Sequence, residues 1–224
     1  MEKPSSILKM LGLITIVTLV LTGCENGAEQ AAPPPREKAP AYTKTIVAVG
    51  DSLTEGLGVL EENAYPARLQ RKLNANGYPY RVVNAGISGE TSSGALSRIN
   101  WILTLKPDIV ILETGANDGL RGVDPALTEK NIDQIIRILK NRQVAVLLAG
   151  MQMVGNLGEG FTTAFAGIYP AVAKRHNIPL IPFFLEGVAG EPSLNQADGI
   201  HPTAEGYRIV TETVYPHVLP LIKK

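Results

Sequence analysis

Five short apolar runs alternate with amphipathic helical stretches along most of this chain, and few folds accommodate that alternation. The runs fall at 45–49, 80–84, 109–112, 144–149 and 180–183. Between the first two, Leu69 and Leu73 share one face of a predicted helix over 66–76, and Gly77 stops it. Ser92 or Ser93 caps a second helix towards Lys106, striped by Leu96, Ile99 and Leu103 and ended by Pro107. Asp124-Pro125 opens a third, whose Ile132, Ile135, Ile136 and Leu139 follow the spacing of a core-facing helix. Phe161, Phe165, Ile168, Val172 and Ala173 mark a fourth. The last covers about 204–214, beyond which Pro216 and Pro220 should discourage a long regular element. Pro182 interrupts the fifth strand, which is expected near an edge.

Strands that alternate with helices require right-handed crossovers and a parallel sheet covered on both faces. The expectation is an α/β domain, three-layer α/β/α, with a flavodoxin-like five-stranded parallel sheet. In the order 2-1-3-4-5, strand one is central and its carboxyl end lies at the switch point where such sheets bind ligands.

The N-terminal part reads differently. Lys3 and Lys9 accompany an apolar run over 10–21, short for a membrane span but suited to a signal peptide. It closes on Leu21-Thr22-Gly23-Cys24, which resembles the lipobox of bacterial lipoprotein precursors. An ordinary signal peptide or an uncleaved anchor is the alternative. The lone cysteine at the motif position and the polar stretch after it point to lipidation. Acyl chains contribute about 0.8 kcal/mol per buried methylene, so several of them would hold the protein on a membrane surface. Residues 25–41, with Ala31-Ala32-Pro33-Pro34-Pro35, have almost nothing to bury and read as a spacer. The expected organisation is a lipoprotein signal peptide over 1–23, a lipidated Cys24 and Pro/Ala-rich tether over 24–41, and one catalytic domain over 42–224. The address implied is the bacterial cell envelope, with Glu25 favouring the periplasmic face of the outer membrane.

Charge and cysteine content narrow the chemistry. Lys+Arg and Asp+Glu are both 21, so no basic balance favours nucleic acid. A single cysteine excludes an intramolecular disulfide and a cysteine-based metal site. A monomer is expected.

The first strand stops at Gly50-Asp51-Ser52-Leu53, a turn that delivers a hydroxyl to the carboxyl edge of the sheet. Alone, Ser52 could equally cap the next segment. A Walker-type phosphate loop does not fit, because the Gly-Lys-Ser/Thr ending is missing. A serine becomes a nucleophile only beside a base. Of the three histidines, His176 sits at a predicted helix end and His217 in a proline-flanked tail, both suited to structural roles. His201, in Asp198-Gly199-Ile200-His201-Pro202, is forced into a loop by the proline that follows it. Asp198, three residues earlier, can accept the proton of one imidazole nitrogen and leave the other free for a serine. Strand two runs into Asn84-Ala85-Gly86-Ile87-Ser88-Gly89, whose glycines suit an oxyanion, and strand three into Gly115-Ala116-Asn117-Asp118. Each of these is an ordinary strand-to-helix turn when read alone.

Taken in order, Gly-Asp-Ser, the glycine of Ile87-Ser88-Gly89, Gly-x-Asn-Asp and Asp-x-x-His-Pro resemble the four blocks of the SGNH (GDSL) hydrolases, over about 45–221. Asn117-Asp118-Gly119-Leu120-Arg121-Gly122 and Ile168-Tyr169-Pro170 look most like the bacterial thioesterase, lysophospholipase and arylesterase branch. The resemblance implies the SGNH hydrolase fold, Ser52 as nucleophile, His201 as general base and Asp198 as its orienting group. It also implies an oxyanion hole from Ser52, Gly89 and Asn117, no metal and no cofactor, and small-molecule or lipid esters as substrates. Leu57, Met153, Val154 and Leu157 are candidates for an apolar acyl pocket. Competing functions are a cell-envelope carbohydrate O-acetylesterase and a non-catalytic surface-binding lipoprotein, while an acyltransferase would differ only in the acceptor.

Overall fold

The computed structural model describes residues 42–153 and 157–222. The signal peptide, Cys24, the tether up to residue 41 and Val154 lie outside the described residues.

The chain builds one sheet of five strands in the order β2-β1-β3-β4-β5, every neighbouring pair parallel. The strands are β1 (Lys44–Gly50), β2 (Tyr80–Gly86), β3 (Ile109–Glu113), β4 (Ala145–Ala149) and β5 (Leu180–Ile181). The β-branched residues of β1 explain its central place: Ile46, Val47 and Val49 are fully enclosed, with Val47 level with Val83 on one side and Val110 on the other. Among the described residues eight α-helices connect and cover the strands: α1 (Ser52–Glu55), α2 (Tyr65–Ala75), α3 (Ser92–Ser97), α4 (Ile99–Thr104), α5 (Ala116–Leu120), α6 (Pro125–Asn141), α7 (Glu159–His176) and α8 (Ala204–Val218). Helices α2 and α8 pack together on one face of the sheet; α3, α4, α6 and α7 cover the other. This is the expected three-layer α/β/α fold and strand order.

Three elements depart from the sequence reading. The helix expected over 92–106 is two helices separated at Arg98 (φ −103°, ψ 6°). The Arg98 side chain is held by Glu90 and by the Ala85 carbonyl, and the backbone leaves the helical path to let it reach them. The fifth strand is only Leu180–Ile181, because Pro182 has no N–H to extend the ladder. The last helix runs through Pro216 to Val218. Its face of Val210, Val214 and Val218 is buried, and that packing outweighs one missing backbone hydrogen bond.

Candidate active site

Three strand ends meet at the carboxyl edge of the sheet. At the end of β1, a Cβ on Gly50 would lie 2.1 Å from Thr54 Oγ1 and 2.3 Å from Glu113 Oε2, so only glycine permits this turn. Asp51 caps the single-turn helix α1 by accepting from Leu53 N at 3.0 Å, and the helix ends at Gly56 in the left-handed conformation. Ser52 opens α1 with its Oγ 2.8 Å from His201 Nε2.

His201 belongs to a narrow turn that precedes α8. Gln196 N donates to the His201 carbonyl at 2.7 Å, Thr203 N donates to Leu194 O at 2.8 Å, and Asn195 and Pro202 form an antiparallel bridge. Within this turn Asp198 Oδ1 accepts from Ile200 N and His201 N, each at 3.0 Å, and Oδ2 lies 2.7 Å from His201 Nδ1. The two backbone N–H groups, then the imidazole, hold the Asp198 carboxyl down at about 2. An ionised carboxylate only accepts, so Nδ1 carries the ring proton and Nε2 accepts from Ser52 Oγ.

Behind β2, Gly89 adopts a positive φ of 76°. The turn is fixed by Ile87 N donating to Gly50 O at 3.0 Å and by Glu55, whose carboxylate accepts from Ser88 N at 2.8 Å and from the Ser88 hydroxyl. A half-hidden ion pair of Glu90 with Arg98 holds the far side of the turn, and Arg98 Nη2 donates to Ala85 O at 2.8 Å. Behind β3, Asn117 Nδ2 donates to Asp51 Oδ2 at 3.1 Å, which leaves its second amide hydrogen available. The backbone N–H groups of Ser52 and Gly89 find no acceptor among the described residues. Asp118, next to Asn117, turns away and accepts from Ser92 N at 2.7 Å and Ser92 Oγ at 2.5 Å.

Ser52, Gly89, Asn117 and His201 line one cleft of about 350 Å³, walled on its apolar side by Leu57, Leu120, Met153 and Phe183. Of the four pocket candidates, Leu57 and Met153 are in the wall; Leu157 is exposed and not part of it, and Val154 lies outside the described residues. Among the described residues no group of three or more His, Cys, Asp or Glu side chains is spaced to hold a metal ion.

Sequence reasoning did not single out Glu55, Glu90, Arg98, Glu113, Gln196 or Tyr207. Gln196 Nε2 donates to Leu57 O at 2.7 Å and Pro202 O at 3.0 Å, strapping the nucleophile segment to the histidine turn. Tyr207 Oη donates to Ser52 O at 3.3 Å. Only Glu113 carried a readable signal, an acid closing an otherwise apolar buried strand.

A hydroxyl, an imidazole and a carboxylate in line over the carboxyl edge of a parallel sheet define a site of the serine hydrolase class. The model of the GDSL-like Lipase/Acylhydrolase family matches residues 48–209, and the chain belongs to that family. It is 42% identical over 183 residues to Esterase TesA of Pseudomonas aeruginosa, covering 81% of this chain and 91% of the relative. With Thioesterase 1/protease 1/lysophospholipase L1 of Escherichia coli it shares 37% identity over 183 residues, 81% of this chain and 86% of the relative. A crystal structure of TesA superposes with a TM-score of 0.78 at 42% identity, covering 80% of this chain and all of that one. The chain is thus an SGNH-type hydrolase of ester bonds.

Proposed function

We propose that this enzyme hydrolyses carboxylic esters and thioesters through a Ser52 acyl-enzyme. The reading rests on one observation: Ser52 Oγ, His201 and Asp198 are linked by contacts of 2.8 and 2.7 Å. His201 Nε2 takes the Ser52 proton as Oγ bonds to the acyl carbon, and then returns it to the departing alcohol or thiol. In the second half, His201 deprotonates a water that attacks the acyl-enzyme, and the carboxylic acid leaves as Ser52 regains its proton. The developing oxyanion is held by the N–H groups of Ser52 and Gly89 and by the Asn117 amide. The apolar wall of Leu57, Leu120, Met153 and Phe183 favours an acyl chain over a sugar on that side of the cleft, and so an acyl esterase over a carbohydrate O-acetylesterase. A fluorophosphonate probe tests the assignment: Ser52 is labelled in the native enzyme and unlabelled in Ser52→Ala, and an equally active Ser52→Ala enzyme refutes it.

The same proposal extends to the N-terminus, where Cys24 carries the lipid after removal of 1–23 and residues 25–41 tether the domain 42–224 to the envelope, on the periplasmic face of the outer membrane. Labelled fatty acid supplied to expressing cells should enter the wild-type chain and not Cys24→Ser, and Cys24→Ser should leave the membrane fraction.

A further inference from the structure

Beneath the nucleophile turn lies a carboxyl group for which acyl transfer has no direct use. Glu113, the last residue of β3, is completely buried. Its Oε2 accepts from Asp51 N at 3.2 Å and from Thr54 Oγ1 at 2.8 Å, while Oε1 is enclosed with no partner among the described residues. The titratable groups facing it are Asp51 and the phenols of Tyr65, Tyr169 and Tyr207. Arg98 comes to the same turn, donating to Gly50 O at 3.4 Å, but its charge is met by Glu90. It takes part in no ion pair among the described residues.

Asp51 differs in its surroundings. It borders the cleft, and its two oxygens are matched by Leu53 N and by Asn117 Nδ2. His201 also bears on Asp51 electrostatically, but among the described residues neither carboxyl forms an ion pair. Two adjacent buried carboxyls so placed share at least one proton, and it stays on the one with the unmatched oxygen. Burial, and then the charge of Asp51, keep the Glu113 carboxyl well above the usual carboxylate range.

We propose that Glu113 is a positioning residue: it stands as a neutral acid beneath the turn, fixes Asp51 N and the Thr54 hydroxyl through one oxygen, and through Asp51 sets the Asn117 amide at the oxyanion site. Neutrality has its own purpose, because a second negative charge behind this turn would oppose the oxyanion in a poorly solvated place. The inference rests on the assignment of Ser52 as nucleophile and Asn117 as donor.

The test uses two variants. Glu113→Gln keeps an oxygen for both donors and cannot ionise; Glu113→Ala leaves both donors unpaired. With p-nitrophenyl butyrate, Glu113→Gln should retain kcat within about threefold and keep the wild-type pH profile, whereas Glu113→Ala should lose about 10- to 100-fold in kcat at little-changed KM. Equal losses in both variants, or full kcat in Glu113→Ala, would overturn the proposal. If Glu113→Ala does not fold, infrared difference spectra of resting wild type against Glu113→Gln decide. A buried carboxylic acid C=O stretch in the wild type that vanishes in Glu113→Gln supports it, and no such band in the wild type refutes it. That measurement needs no turnover, so it is independent of whether Ser52→Ala removes activity.

Discussion

The protein contains two His–Asp pairs of nearly the same geometry: His201 Nδ1 lies 2.7 Å from Asp198, and His176 Nε2 lies 2.8 Å from Asp133. Their surroundings separate them. Asp133, on α6, also accepts from Arg175 at 3.0 Å and pairs with Arg137 at 2.7 Å, so its charge is shared among three partners, Arg137 one turn along α6 and Arg175 and His176 at the end of α7. Among the described residues Asp198 meets no side chain but that of His201, and backbone N–H groups steady its other oxygen. The second nitrogen of His201 meets a serine hydroxyl in a cleft; His176 is the last residue of α7 and lines no such cleft among the described residues. The pair alone is therefore not a site. What makes it one is a nucleophile on the far nitrogen and a carboxylate not already occupied by arginines.

Substitutions can break this comparison, and the largest effects are expected at the first pair. Ser52→Ala and His201→Ala should each lower kcat for p-nitrophenyl butyrate by about 10⁴-fold or more, while His176→Ala should leave it unchanged. An equal loss from His176→Ala would erase the distinction. Asp198→Asn should cost about 10²- to 10⁴-fold in kcat, against no measurable loss for Asp133→Asn. Asn117→Ala should lower kcat by about 10²-fold with KM nearly constant, and a purely KM effect would remove it from the oxyanion site. For Asp133→Asn the expected effect is on stability, about 1 kcal/mol or a fall of roughly 2–4 °C in Tm, since its arginine partners are well exposed.

Asp198 also makes a prediction about pH. Its folded-state value lies below the ordinary one, so its contribution to stability is complete above the usual carboxylate range and is lost progressively as pH falls from that range through about 2. Asp198 should accordingly contribute no break to kcat/KM within the ordinary carboxylate range, and a break there that disappears in Asp198→Asn would show Asp198 titrating where it should not.

The residues proposed to act by chemical type could be named from the sequence. Ser52, Asp198, His201, Gly89 and Asn117 sit in turns whose glycines and prolines announce them, and all five converge on the edge where β1, β2 and β3 end. The five strands were legible too, because β-branched runs and helical stripes have different periods. What stayed hidden depends on side chains reaching across the fold. Arg98 resembles any polar helix residue until its partners Glu90 and Ala85 O are seen, and that reach is why one predicted helix became two. Gln196 binds the carbonyl of nearby Pro202 and that of Leu57, the latter a contact over 139 residues that no local pattern encodes. Pro216 misled for the opposite reason: its local cost is real, but the buried valines of α8 override it.

The separation of Ser52 from His201 by 149 residues also sets an order in time. A chain made from its N-terminus forms the nucleophile turn and the turns after β2 and β3 before its base exists. The histidine turn leads directly into α8, which packs on α2, with Arg68 Nη2 donating to Ala204 O at 3.0 Å. Such a long closure costs only about 0.6 kcal/mol more per doubling of loop length, but long-range contacts of this kind are slow to form. Ser52 therefore has no imidazole beside it until the chain has been made at least as far as His201.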